Sequence, residues 1–136
     1  SNYSTQYTGG GDLALVDGVR GTNNWSGGAW QGYQGKDVIA VLDLGSVQKV
    51  SRVSAGFLQD IGSWIWMPSR VEIELSVDGV TFGTAHSIAN EVSEKEGVVI
   101  RDFVKTIAPT EARYIRIRAV HLRPETWIFV DEIIVN

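Results

Sequence analysis

Two acidic residues at opposite ends of the chain carry the first chemical signal. The closing segment Trp127-Ile128-Phe129-Val130-Asp131-Glu132-Ile133-Ile134-Val135-Asn136 reads as a strand, and Glu132 shares the register of Ile128, Val130 and Ile134. Successive side chains of a strand point to opposite faces, so Glu132 is expected on the otherwise buried side. A carboxylate there is costly unless it is paired or holds a metal. A matching acid lies far upstream, Asp17 in Leu15-Val16-Asp17-Gly18. Together they read as a calcium clip between the first loop and the last strand. The competing reading is that Asp17 only makes a turn with Gly18 and that Glu132 pairs with Arg116 or Arg20.

Strands and loops must position these groups; no segment makes a convincing helix. Val71-Glu72-Ile73-Glu74-Leu75-Ser76-Val77 alternates apolar and polar throughout, the mark of a strand with one wet face. Asp78-Gly79 predicts a tight hairpin turn into Val80-Thr81-Phe82. Val38 to Leu44 is almost continuously apolar, and Lys49 to Phe57 sets Val53, Ala55 and Phe57 on one face, so both are expected as inner strands of a sandwich. Val98 to Val104, Ala112 to Val120 and Trp127 to Asn136 bring the expected count to about seven or eight. Asn90 to Gly97 reads as a solvated loop.

Composition excludes several classes. A chain of 136 residues is expected to form one domain, residues 1–136, able to fold alone. Sixteen acidic against 12 basic residues, net charge -4, with no Lys or Arg run, argue against a nucleic-acid partner. With no Cys there is neither a disulfide framework nor a thiolate metal site. No apolar stretch is long enough to span a bilayer, and Ser1-Asn2-Tyr3-Ser4 does not begin an export signal. An enzyme is not expected. Adjacent Asp131 and Glu132 should face opposite ways and so cannot flank a glycosidic bond, and His86 and His121 come with no visible triad pattern.

Binding residues concentrate on loops held by a rigid scaffold, and three loops here are aromatic. Gly18 to Asp37 carries Trp25, Trp30 and Tyr33; Gln59 to Ser69 carries Trp64 and Trp66; the third runs from His121 to Trp127. Trp30 and Trp127 adjoin strands and are expected to plug the sandwich ends, whereas at least one ring of the Gly- and Pro-punctuated Gly62-Ser63-Trp64-Ile65-Trp66-Met67-Pro68 is expected to be exposed.

Several of these segments together resemble a known family. Leu15-Val16-Asp17-Gly18 with Thr22 and Trp25, the steps Trp30-Gln31-Gly32 and Asp43-Leu44-Gly45, the turn Ser76-Val77-Asp78-Gly79, Ala112-Arg113-Tyr114-Ile115-Arg116-Ile117 and the closing Val130-Asp131-Glu132-Ile133 look like a discoidin, or coagulation factor 5/8 type C, domain. Within that group the chain most resembles family 32 carbohydrate-binding modules appended to bacterial hexosaminidases, or chitobiases. The resemblance implies an all-β, eight-stranded jelly-roll sandwich of the galactose-binding-like type, excised from a larger glycoside hydrolase. It also implies structural Ca2+ held by Ala14, Asp17, Val19, Thr22, Asp131 and Glu132, with Ala14, Val19 and Asp131 acting through carbonyls.

The implied function is non-catalytic binding of galactose- or N-acetylhexosamine-type glycans. Trp64 or Trp66 is the expected platform for a sugar's C–H face, with Gln59, Asp60, His121, Arg123, Glu125, Arg20 and Asn24 as rim candidates, about half of them scaffolding. The implied setting is a monomer outside the cytoplasm: secreted, periplasmic or at the cell surface. The alternative is a protein-adhesion or interdomain packing module without sugar binding. Net negative charge and the lack of a basic collar around the tryptophans argue against membrane insertion.

Overall fold

The computed structural model describes the chain except residues 1–3, 5, 7, 8, 12, 13, 17 and 23, and gives only the backbone of Ala14. Its elements are β1 (Gln31–Gln34), β2 (Val38–Asp60), β3 (Arg70–Ser76), β4 (His86–Ala89), β5 (Val98–Val120) and β6 (Trp127–Val135), with two 3-10 turns at Ala14–Val16 and Ile61–Ser63. All pairings are antiparallel, in the order β1-β6-β2-β5-β3-β4. The all-β sandwich is as expected, but among the described residues the strands number six, not eight.

The count differs because β2 and β5 are each 23 residues long and stay paired with each other through their bends. Drawn straight, such a strand would run about 75 Å at ~3.3 Å per residue, against a radius of gyration of about 14 Å for a domain of this length. Both must fold over. Register shifts between Asp43 and Gln48 and between Val50 and Arg52 mark where β2 turns from one layer into the other. Residues 38–43 pair with 114–119 of β5, which also pairs with β3, while 53–58 pair with β6. The layers enclose one core, with Val53, Ala55 and Phe57 meeting Val71, Ile73, Ile115, Ile117, Ile128 and Val130.

β3 keeps the alternation of its sequence, burying Val71, Ile73 and Leu75. Its hairpin partner is β4, not Val80-Thr81-Phe82. The Asp78 carboxylate accepts the N–H groups of Val80 and Thr81 and so holds a wider loop open, while Phe82 lies under the Arg116 guanidinium at 4.0 Å. The apolar run at the start of β2 is not buried on both sides. Ile39 and Val41 are 43% and 55% exposed beside their cross-strand partners Arg118 and Arg116.

The last strand also departs from simple alternation. Ala55 pairs with Ile133 and Phe57 with Val130, so Gly56 alone faces Asp131 and Glu132, a β-bulge. The extra residue puts Ile133 rather than Ile134 in the core and buries both acids. Gly56 is needed at the bulge, because a Cβ there would fall 2.2 Å from Asp131 Oδ1 and 2.6 Å from Arg20 Nη2. Overpacking costs about 1–3 kcal/mol. Gly56→Ala is expected to lower Tm by about 4 to 10 °C in thermal denaturation, and an unchanged Tm would show that the bulge tolerates a side chain.

Candidate functional site

The platform loop is built around Ile65. This buried side chain anchors a stretch whose backbone is tied on both sides. Asp60 and Ile65 exchange N–H···O bonds of 2.9 and 3.1 Å, Trp127 N–H donates to Trp64 O at 2.9 Å, and Trp66 N–H donates to Trp127 O at 3.2 Å. With Ile65 turned inward, its neighbours Trp64 and Trp66 must point away from the core. The 3-10 turn Ile61–Ser63 ends on Trp64 in the left-handed region, φ 62° and ψ 28°, the one described non-glycine residue with positive φ. That conformation costs about 1–2 kcal/mol for a side chain with a Cβ. Trp64 is left 57% exposed, the largest outward-facing ring among the described residues.

Trp66 buttresses it. The two ring centres are 5.9 Å apart at 72°, so Trp66 meets Trp64 edge to face. Trp66 Nε1–H donates to Glu94 O at 3.1 Å, and the Arg123 guanidinium sits 5.1 Å from its ring centre. Arg123 also donates to Glu94 Oε1 at 2.6 Å and to Glu125 Oε1 at 3.1 Å. The hydrogen bond to Glu94, helped by that to Glu125, raises its pKa above the usual arginine value against a smaller desolvation cost. An exposed indole face beside fixed donors and acceptors is what a pyranose needs, its C–H patch on the ring and its hydroxyls at the rim.

The structure thus brings together Trp64, Trp66, Arg123 and Glu125, with Asp60 at the root of the loop. It does not bring in the other candidates. Gln59 is fully buried, its amide donating to the carbonyls of Ser93 and Glu96 at 2.9 and 2.7 Å and so fastening the loop that carries Glu94. His121 is tied to Asp37 through its backbone N–H and its ring Nδ1. Asn24 accepts from Ser26 N–H and Oγ–H within its own turn. Arg20 lies on the outer face of the sheet, bonded to Asp131 at 2.9 Å and Asp102 at 2.5 Å.

Sequence reasoning missed Glu94, which lies in a polar loop with no distinguishing pattern. It also missed a cleft of about 250 Å³ beside the platform, lined by Trp25, Ser63, Ile65, Trp127 and Phe129. Its signal was present in the last strand, where Phe129 is as buried as Val130 because the outer face is covered too. The cover is the segment 18–30. Trp30 packs with Leu58, Ile65 and Phe129, and its Nε1–H donates to Thr22 O at 2.7 Å.

A sequence model of the F5/8 type C domain matches residues 1–133. The chain belongs to the F5/8 type C family. Solved structures agree in fold. A Streptococcus pneumoniae fucose binding module is 17% identical with TM-score 0.61, over 93% of this chain and 82% of that one. The lectin domain of Lectinolysin complexed with Lewis B antigen is 14% identical with TM-score 0.65, over 99% and 89%. CBM32-1 of a family 31 glycoside hydrolase from Clostridium perfringens is 16% identical with TM-score 0.58, over 98% and 86%. No curated protein matches the chain.

The calcium positions implied for this F5/8 type C domain are only partly described, since Asp17 lies outside the described residues. Glu132 is buried, and its Oε2 accepts Gly18 N–H at 2.6 Å. Neither Arg116 nor Arg20 takes it, because Arg116 is bonded to Glu74 and Arg20 to Asp131. The 3-10 turn Ala14–Val16 packs on β6, so the implied Ala14 carbonyl and the Glu132 carboxylate belong to touching segments. Asp131 differs from its implied role in also using its carboxylate, which accepts Gly21 N–H at 2.9 Å and Glu132 N–H at 2.6 Å. The oxygen donor set fits a hard cation.

Asp37 gives a pH handle on the neighbouring loop. Burial pushes its carboxyl up, but hydrogen bonds from His121 and Arg118 outweigh this and hold it below the ordinary aspartate value. A depressed folded pKa stabilises fully above the unfolded value of about 3.9 and is lost as pH falls through the folded value. The Tm of wild type is therefore expected to exceed that of Asp37→Asn at pH 5 and above, with the gap closing below pH 4. A gap that is flat or widens on acidification would contradict this.

Proposed function

We propose that this F5/8 type C domain is a non-catalytic carbohydrate-binding module, taking galactose- or N-acetylhexosamine-type glycans and holding an attached bacterial glycoside hydrolase, such as a β-hexosaminidase or chitobiase, near its substrate. The observation that carries it is Trp64, a tryptophan held outward by a strained backbone and braced by a second ring. Structures of similar fold include a fucose binding module and a lectin domain complexed with Lewis B antigen, which favours this reading over catalysis. The setting is extracellular, periplasmic or cell-surface, and the domain acts as a monomer. The packing-module alternative draws on the exposed Val98, Ile100 and Val104 along β5.

A shallow site exchanges water hydrogen bonds for protein ones and buries little area. A Kd of about 0.1 to 1 mM is the expectation, or roughly -5.5 to -4 kcal/mol. Trp64→Ala is expected to weaken binding at least tenfold in isothermal titration while moving Tm by only a few degrees. Loss of fold in that variant would place the ring in the core. A wild-type domain that binds no glycan on a broad array, yet binds its adjoining catalytic domain, would replace this reading with the packing module.

Calcium belongs to the same proposal as a structural ion, held by Asp17, Thr22, Glu132 and the carbonyls of Ala14, Val19 and Asp131. It would supply positive charge between the buried Glu132 and the first loop, away from the sugar platform. At a hundredfold excess over its Kd, binding adds about 2.7 kcal/mol, or about 9 °C in Tm for a domain of this length. Chelation is expected to remove that increment in wild type and to change nothing in Glu132→Gln. An equal calcium response in both would sink the assignment.

A further inference from the structure

The cleft beside the platform differs chemically from the rim on its other side. Its five described lining residues offer four apolar or aromatic side chains, two of them tryptophans with a single N–H each, and one hydroxyl, Ser63, with no charge. Arg123, Glu94 and Glu125 instead ring Trp66 with charge. Ile65 and Phe129 are buried, and Trp25 and Trp127 each meet Phe129 edge to face, with ring centres 6.4 and 5.7 Å away. Cleft and platform share a rim: Ser63 precedes Trp64, and Trp127 N–H bonds Trp64 O at 2.9 Å.

This lining selects among ligand groups. A whole pyranose ring would bring several hydroxyls into a space whose side chains hold one hydroxyl and two indole N–H groups, too few to pair them all, and burying unpaired hydroxyls is costly. A hydrocarbon group meets no such penalty. An apolar cavity of about 150 Å³ accepts benzene, so about 250 Å³ exceeds what an acetyl methyl needs. Resting on the reading of Trp64 as a sugar platform, we infer that this cleft is a second subsite that takes an uncharged hydrocarbon substituent of the bound sugar, an N-acyl chain or an alkyl or aryl aglycone.

The test titrates the domain with one parent hexose, its 2-amino, N-acetyl and N-butanoyl derivatives, and its phenyl and hexyl glycosides. Each buried methylene should tighten binding about fourfold, so N-butanoyl, two methylenes longer, is expected to bind about fifteenfold more tightly than N-acetyl if the cleft takes the acyl chain. The same gain for the phenyl or hexyl glycoside over the parent identifies the aglycone as its occupant. Trp25→Leu, which opens one wall, and Ser63→Leu, which fills the mouth, should each erase the gain while leaving the parent hexose's affinity in place. Equal affinity across all substituents, or a gain that survives both variants, overturns the subsite but leaves the platform standing. Failure of wild type to bind any member of the series overturns the platform reading and the subsite with it.

Discussion

The structure depends on two carboxylates buried at a bulge in the last strand. Placing Asp131 and Glu132 opposite the single residue Gly56 removes both acids from water, a cost of several kcal/mol per ion unless each finds partners. Among the described residues, the partners these carboxylates find outside their own strand come from one segment. Gly18 N–H bonds Glu132, while Gly21 N–H and the Arg20 guanidinium bond Asp131, with Arg20 reaching on to Asp102. Burial disfavours the charge on Arg20, yet its bonds to Asp131 and Asp102 outweigh that and raise its pKa. Lifting this segment off the sheet would strand the carboxylates, so it stays down and carries Trp30 onto Leu58 and Phe129. Gly21 permits the close approach, since a Cβ there would fall 2.1 Å from the Trp30 ring.

That cover makes β2 and β6 buried on both faces where the binding loops begin, and a doubly buried pair is a rigid base. Ile65 hangs from it through bonds to Asp60 and a bridge to Trp127. The strain at Trp64 persists because backbone bonds on both sides over-determine it. Residues whose alternation is fixed by a buried plug can hold a large apolar ring in water, which an unconstrained loop would fold away. Mechanical support and the proposed recognition surface therefore lie on adjacent residues.

Much of this was legible in the chain. β3 showed itself because one face is wet, so Glu72 and Glu74 alternate with Val71, Ile73 and Leu75. Trp64 was legible from its glycine and proline neighbours. The misreadings share a cause, which is that a partner distant in sequence changed what a local pattern meant. Ile39 and Val41 read as doubly buried, but arginine stems from β5 flank them on an outward face. Asp78-Gly79 read as a two-residue turn, but the Asp78 carboxylate binds the next N–H groups. Gln59 read as a rim residue because it opens the loop that carries Trp64, yet the carbonyls of Ser93 and Glu96 take its amide. The shift from Ile134 to Ile133 was invisible because the glycine that creates it lies in another strand.

The central claim is that one end of this scaffold recognises a sugar through Trp64. Its most direct test follows the five indole N–H signals in a two-dimensional 15N–1H NMR titration with a galactose and N-acetylhexosamine series, assigned by single tryptophan substitutions. The account predicts saturable shifts of the Trp64 and Trp66 indoles at sub-millimolar to millimolar sugar, while Trp30, bonded to Thr22 O beneath the covering segment, does not move. Saturable shifts confined to other tryptophans, or no shift with any glycan, would contradict it.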